Sequence, residues 1–180
     1  LLLPSGRAAI NSILRYHQID RSKITNVPLW TSACLLHAVT AITNVSVKNK
    51  NANCNVIVHK WGNTYKIKKR TNMDQILIDD SADSFPTKEF RPYENSSNFE
   101  ILSLPKLIGS FSGGIILTNK KNFYKYIKKM QTKNLVYARK QSERKFLSSF
   151  IDKSNLDWRF YESYNTSVDF NSVENIFKCL

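Results

Sequence analysis

The chain has 180 residues, 42% of them hydrophobic, which is enough to bury one sizeable core as a single domain. Its 27 lysines and arginines outnumber 14 aspartates and glutamates, for a net charge of +13. That balance suits nucleic acid, an anionic membrane surface or phosphorylated small molecules, but the basic residues run through several segments instead of one tail and read mainly as solvated faces.

In chain order, "PSGRAAINSILRYHQI" reads as a helix with Ser5 as cap and Ile10, Ile13, Leu14 and His17 along one face. "ITNVPLW" is a short β-type run, and "TSACLLHAVTAI" is a largely apolar helix. On it Cys34 and His37 lie three apart, a spacing expected to serve core packing and not hydrolysis. "NCNVIVHKW" has the β-branched density of an internal strand, and "QILIDD" is another strand ending in two carboxylates. "NFEILSLP" and "SGGIILTN" look like two strands flanking a turn that carries Lys106. "KKNFYKYIKKMQ", "ARKQSERKFLSSFID" and "DFNSVENIFKCL" follow as amphipathic helices. Alternating short strands and helices imply an α/β domain of three layers, α/β/α, with a mostly parallel sheet. Ligands of such sheets lie beyond the carboxyl ends of the strands.

Three cysteines, Cys34, Cys54 and Cys179, are an odd count without paired spacing, which argues against a disulfide framework and for a reducing compartment. His17, His37 and His59 complete no zinc spacing with them, and no metal is expected. No stretch approaches the roughly 18 uninterrupted apolar residues of a membrane helix. "LLLP" is too short for a signal-peptide core. The expectation is a cytoplasmic protein without a membrane span. The charge has no RNP-like, zinc-finger or helix-turn-helix pattern beside it, so no nucleic-acid partner is expected.

Three positions carry candidate chemistry. Ser5-Gly6-Arg7 opens a helix, where free N–H groups and the helix dipole favour an anion; taken alone it reads as an ordinary cap. Asp80 ends a buried strand, where a carboxylate can hold a cationic ring nitrogen protonated or simply cap the next turn. Lys106 lies between two apolar runs. Desolvation there lowers an amine's pKa and leaves it neutral and nucleophilic, whereas a lysine snorkelling at a hairpin would stay charged. Together they supply a phosphate cup, a ring-nitrogen carboxylate and an amine for an aldehyde.

"SLPKLIG" resembles the Ser-x-x-Lys-x-x-Gly segment of fold-type-I pyridoxal-phosphate enzymes, and "ILIDDSADSF" is similar to their acidic-Asp-x-Ala strand end. Within that group the chain looks most like the sugar aminotransferases (DegT/StrS-like). Further likeness lies in "GGIILTN", "VPLWTSACLLHAV", "IVHKWGN" and the "YN" of "SYNTSVDF". The resemblance implies a large domain like that of aspartate aminotransferase, with an N-terminal arm and a small C-terminal domain missing or reduced. It implies pyridoxal 5'-phosphate as cofactor. Lys106 would form a Schiff base with it and transfer protons, Asp80 would hold its ring nitrogen, and Ser5, Gly6, Arg7 and Ser103 would bind its phosphate. Asn165 would reach the phosphate of a partner subunit's cofactor, in a homodimer. The implied substrates are a nucleotide-linked keto sugar and an amino-acid donor, glutamate being the expected one, in nucleotide-sugar and lipopolysaccharide biosynthesis. Relatives with His in place of this Lys are dehydratases, so Lys106 favours transamination.

The chain departs from that pattern at four places. Asp83 stands in the cofactor site where Gln or His is usual, and an anion cannot donate a hydrogen bond to the cofactor's phenolate. Ser32 falls where an aromatic often stacks, leaving Trp30 as a substitute; Arg7 replaces a small or hydroxyl residue; and Asn165 lacks the usual following Arg. These departures feed the alternative of a non-catalytic homologue serving in assembly.

Overall fold

The structure, a computed structural model, describes residues 1–67, 74–84, 95–109 and 113–133. Among the described residues, seven strands form one sheet. In chain order the elements are β1 (Leu2–Leu3), α1 (Gly6–Tyr16), β2 (Ile24–Asn26), α2 (Ala33–Thr40), β3 (Asn44–Ser46) and β4 (Cys54–Val58). They continue with β5 (Ile76–Asp80), β6 (Phe99–Ser103), α3 (Leu104–Ile108), β7 (Gly114–Leu117) and α4 (Lys121–Lys133). The sheet order is β1-β7-β6-β5-β4-β2-β3. The five strands β6 to β3 are mutually parallel, while β7 runs antiparallel to both β6 and β1. This agrees with the mostly parallel α/β sheet expected from the sequence. The expected helices in 138–152 and 169–180 lie outside the described residues.

Strand alternation sorts the side chains between two faces. Cys54, Val56, Ile78, Phe99, Ile101 and Ile116 point to the helix side, where they form one core with Ile10, Ile13 and Leu14 of α1, Leu35 and Val39 of α2, and Phe123 and Ile127 of α4. Phe99 and Phe123 meet edge to face at 4.9 Å, and burying each ring stabilises the fold by roughly 2–3 kcal/mol. The other face carries Asn55, Ile57, Leu77, Asp79, Glu100 and Leu102. Asp79 and Glu100 are register neighbours there.

Helix α2 corrects one expectation. Its buried residues are Leu35, Ala38 and Val39, so the core-facing stripe leaves out Cys34 and His37, and both are exposed. The stripe follows the usual i, i+3, i+4 pattern; the offset of one residue sets which side chains meet water.

Candidate active site at the carboxyl edge of the sheet

Asp80 is the last residue of β5 and is paired in register with Val58 and Ile101. It therefore faces the helix side, with only 8% of its surface exposed. Its Oδ1 accepts the Ala82 N–H at 3.1 Å, and its carbonyl accepts the His59 N–H at 2.9 Å. Burial raises its pKa from 3.8 to about 6. The Ala82 N–H and the Lys106 charge oppose that shift, while the Asp83 charge adds to it.

The start of α1 lies beside this carboxylate. Ser5 is the N-cap, and its Oγ accepts the Ala8 N–H at 3.1 Å. A Cβ on Gly6 would lie 3.6 Å from Ile101 Cγ2, which places the helix start above the register partner of Asp80. Backbone hydrogen bonds fix it there: Gly113 N–H donates to Pro4 O at 2.8 Å, and Leu104 N–H donates to Gly113 O at 3.0 Å. The openings of α1, α3 and β7 are thereby tied together. Arg7 is half-buried in the first turn of α1.

Ser103 ends β6 and caps α3, a short helix with Pro105 in its first turn. Gly109 closes it in the left-handed region at φ 68°, which glycine adopts without a Cβ clash, and its N–H returns to Pro105 O at 3.1 Å. Lys106 stands on this turn, half-exposed, with its Nζ hydrogen-bonded to Asp83 Oδ1. The expectation of a lowered amine pKa is corrected here. Partial burial pulls it down, but the hydrogen bond and charge of Asp83, with smaller contributions from Cys34 and Asp80, outweigh that and raise it. The sheet edge is wetter than the apolar runs around Lys106 suggest, and an anion meets the amine.

Of the residues expected to bind the cofactor, Ser5, Gly6, Arg7, Asp80, Asp83, Ser103 and Lys106 thus gather at one end of the sheet, where β5, β6, α1 and α3 meet. Asn165 lies outside the described residues. Trp30 is 81% exposed, and Ser32 caps α2 with its Oγ 3.3 Å from Cys34 Sγ. Among the described residues no cluster of His, Cys, Asp and Glu is placed to hold a metal, and no helix is long and apolar enough to cross a membrane.

The sequence reading missed a second buried group. His59 Nδ1 accepts the Tyr65 N–H at 2.9 Å, so in the neutral ring the proton sits on Nε2, 3.3 Å from Asp79 Oδ1. Asn95 Nδ2 also donates to Asp79 Oδ1, at 2.9 Å. The doubled aspartate was the signal, because period-2 alternation sends Asp79 and Asp80 to opposite faces. A groove of about 690 Å³ also lies away from Lys106, over Asn55, Ile57 and Leu77 and flanked by Trp61 and Tyr65.

The donor set fits pyridoxal phosphate. A buried carboxylate whose desolvation a cation would relieve stands next to a primary amine, and a capped helix start is pressed so close to Gly114 that a Cβ would not fit between them. Solved structures place the fold. DesV of S. venezuelae, in complex with a ketimine intermediate, is similar at TM-score 0.55 and 17% identity, over 69% of this chain and 41% of its own. The E. coli GDP-4-keto-6-deoxy-D-mannose-3-dehydratase with bound hydrated PLP gives TM-score 0.57 and 12% identity, over 73% and 42%. A DegT DnrJ EryC1 StrS aminotransferase from Brucella abortus gives 0.53 and 12%, over 78% and 45%. The chain spans less than half the length of each, and at these identities the likeness shows the fold alone, that of fold-type-I pyridoxal-phosphate enzymes. No curated protein matches the sequence. A family model described as "Putative PLP-dependent aminotransferase" matches residues 1–180, and the chain belongs to that family, whose cofactor is pyridoxal phosphate.

Proposed function

We propose that the 180 residues form a single cofactor-binding domain of an aminotransferase that moves an amino group from an amino-acid donor, glutamate being the expected one, to a nucleotide-linked keto sugar. The observation that carries this reading is that Asp80 ends β5 and Lys106 stands on α3 at one end of the sheet, where backbone hydrogen bonds tie the start of α1 to β7 and α3. When bound, pyridoxal phosphate supplies an electron-withdrawing ring that absorbs the negative charge left on a substrate carbon. Lys106 would hold the cofactor through its Nζ and would serve as general base and acid at the reacting carbon. Asp80 takes the ring nitrogen's N–H and keeps it cationic; its buried position makes that pairing strong. Ser5, Gly6, Arg7 and Ser103 receive the phosphate, where the N–H groups of α1 and an arginine favour a dianion. The site is completed in a cytoplasmic homodimer, with Asn165 reaching the partner subunit's cofactor.

The test is spectroscopic. The protein is loaded with pyridoxal phosphate and its visible spectrum recorded before and after borohydride. The expected result is a chromophore that borohydride fixes to the Lys106 peptide and that Lys106→Ala abolishes; no chromophore at saturating cofactor rejects the reading. A second reading, a homologue without catalysis that serves in assembly, is favoured by the Lys106–Asp83 pair, which occupies the amine. It predicts cofactor binding without turnover of any donor.

A further inference from the structure

We infer that Asp83 is a latch on Lys106: its carboxylate holds the amine as an ammonium in the cofactor-free protein, and the pair must part before Lys106 can attack an aldehyde. The inference rests on the reading of Lys106 as the cofactor lysine.

Backbone anchors hold both partners of the pair. Asp83 belongs to the turn after β5, where its carbonyl accepts the Gly62 N–H at 3.1 Å and Ser84 N–H donates to Ser81 O at 3.1 Å. Lys106 is carried by α3, which Ser103 and the left-handed Gly109 delimit. The backbones that carry the pair are therefore fixed, and what remains to be ordered is the Lys106 side chain itself.

The charged and titratable groups acting on the amine come from two directions. Asp83 and Asp80 belong to β5 and the turn beyond it, and Cys34 to the first turn of α2. All three favour the ammonium. The partners are 50% and 39% exposed, so water and salt reach them and the latch can open without unfolding.

An ammonium has no lone pair to donate. To react, Lys106 gives one proton to solvent and its lone pair attacks the aldehyde carbon; one water leaves as the C=N bond closes. A carboxylate that stabilises the ammonium therefore opposes loading at any pH below the amine's pKa at which the carboxylate is ionised. A Gln or His at position 83 would not impose this requirement.

The test uses the full cofactor-free chain and reads the amine directly. Lys106 is labelled competitively with acetic anhydride across pH 7 to 12, and its extent is read from its peptide by mass spectrometry. In Asp83→Asn the labelling midpoint is expected to fall by about one pH unit, with about tenfold more labelling at pH 8. Asp83→Glu should restore the wild-type midpoint. If Asp83→Asn does not fold, a salt series on the wild type decides: from about 0.05 to 1 M salt the midpoint should fall, because a half-exposed pair is screened. An unchanged midpoint in folded Asp83→Asn, or in that salt series, overturns the latch. Because no cofactor is present, this outcome is independent of the borohydride experiment, which alone decides whether Lys106 carries the cofactor.

Discussion

Gly114 on β7 stands against Ser5 so closely that a Cβ on it would lie 2.4 Å from the Ser5 carbonyl carbon and 2.6 Å from the Gly6 nitrogen. Both contacts are with backbone, which cannot swing aside as a side-chain tip can. Gly114→Ala must therefore push the start of α1 away from β7, where Gly113 N–H now reaches Pro4 O. The expected cost is about 1–3 kcal/mol, seen as a lower urea midpoint with an unchanged slope. If the start of α1 receives the phosphate, the variant should lose more affinity for pyridoxal phosphate than for pyridoxal, which has none. Equal losses for the two ligands would place the phosphate elsewhere.

Asp80 gives the stability of the cofactor-free protein a pH dependence of known sign. Its folded pKa is raised to about 6 from 3.8, so the folded state holds the proton more tightly than the unfolded chain. The stabilisation is fully present below pH 3.8 and is lost as pH rises through about 6. Above that, keeping an ionised carboxylate buried costs on the order of 3 kcal/mol. Asp80→Asn removes the charge while leaving an oxygen for the Ala82 N–H. Without cofactor, the variant should be more stable than the wild type at pH 8, and the difference should shrink towards zero near pH 3.5. Denaturant titrations at the two pH values check this; parallel curves would mean that the carboxylate is solvated. The same variant should bind the cofactor less tightly, since the cost of burying Asp80 is the energy a ring cation relieves.

Much of this arrangement was legible in the sequence, and where it was not the reason is physical. Strands β4, β5, β6 and β7 announced themselves because short, dense runs of β-branched and aliphatic residues mark strands, as "NVIV", "ILI", "EIL" and "GIIL" do. Strands β1 and β3 did not. They have two and three residues, and they exist through pairings with distant partners, Leu2 with Ile115 and Val45 with Thr25. The sequence located Lys106 but not its charge state, because the Asp83 contact depends on how the turn after β5 folds back over α3. It located Asp80 but overlooked Asp79, although strand alternation alone separates them. It placed Cys34 and His37 in a core that a one-residue rotation of α2 gives to Leu35, Ala38 and Val39.

The separation of Asp79 from Asp80 can itself be tested through Asn95. This buried amide donates to Asp79 Oδ1 and to Tyr65 O, each at 2.9 Å, and its Oδ1 accepts the Ile67 N–H at 2.8 Å. On the sheet face away from Lys106, Asn95→Ala leaves Tyr65 O and the Ile67 N–H without this partner, while Asp79 Oδ1 keeps His59 Nε2. Leaving buried polar groups unpaired costs about 1–3 kcal/mol each before relaxation, and water entering the space would recover part of it, so a loss of about 2–4 kcal/mol is expected. Hydrogen exchange followed by mass spectrometry should show faster exchange in the peptide covering 59–67, because the amides of Tyr65 and Ile67 are held through this network. The amount of cofactor that borohydride fixes to Lys106 at saturation should not change, since Asp80 and α1 sit on the other face and α3 at the end of the sheet. A parallel loss of fixed cofactor would show that the two aspartates act as one unit through His59, whose N–H reaches Asp80 O while its ring meets Asp79.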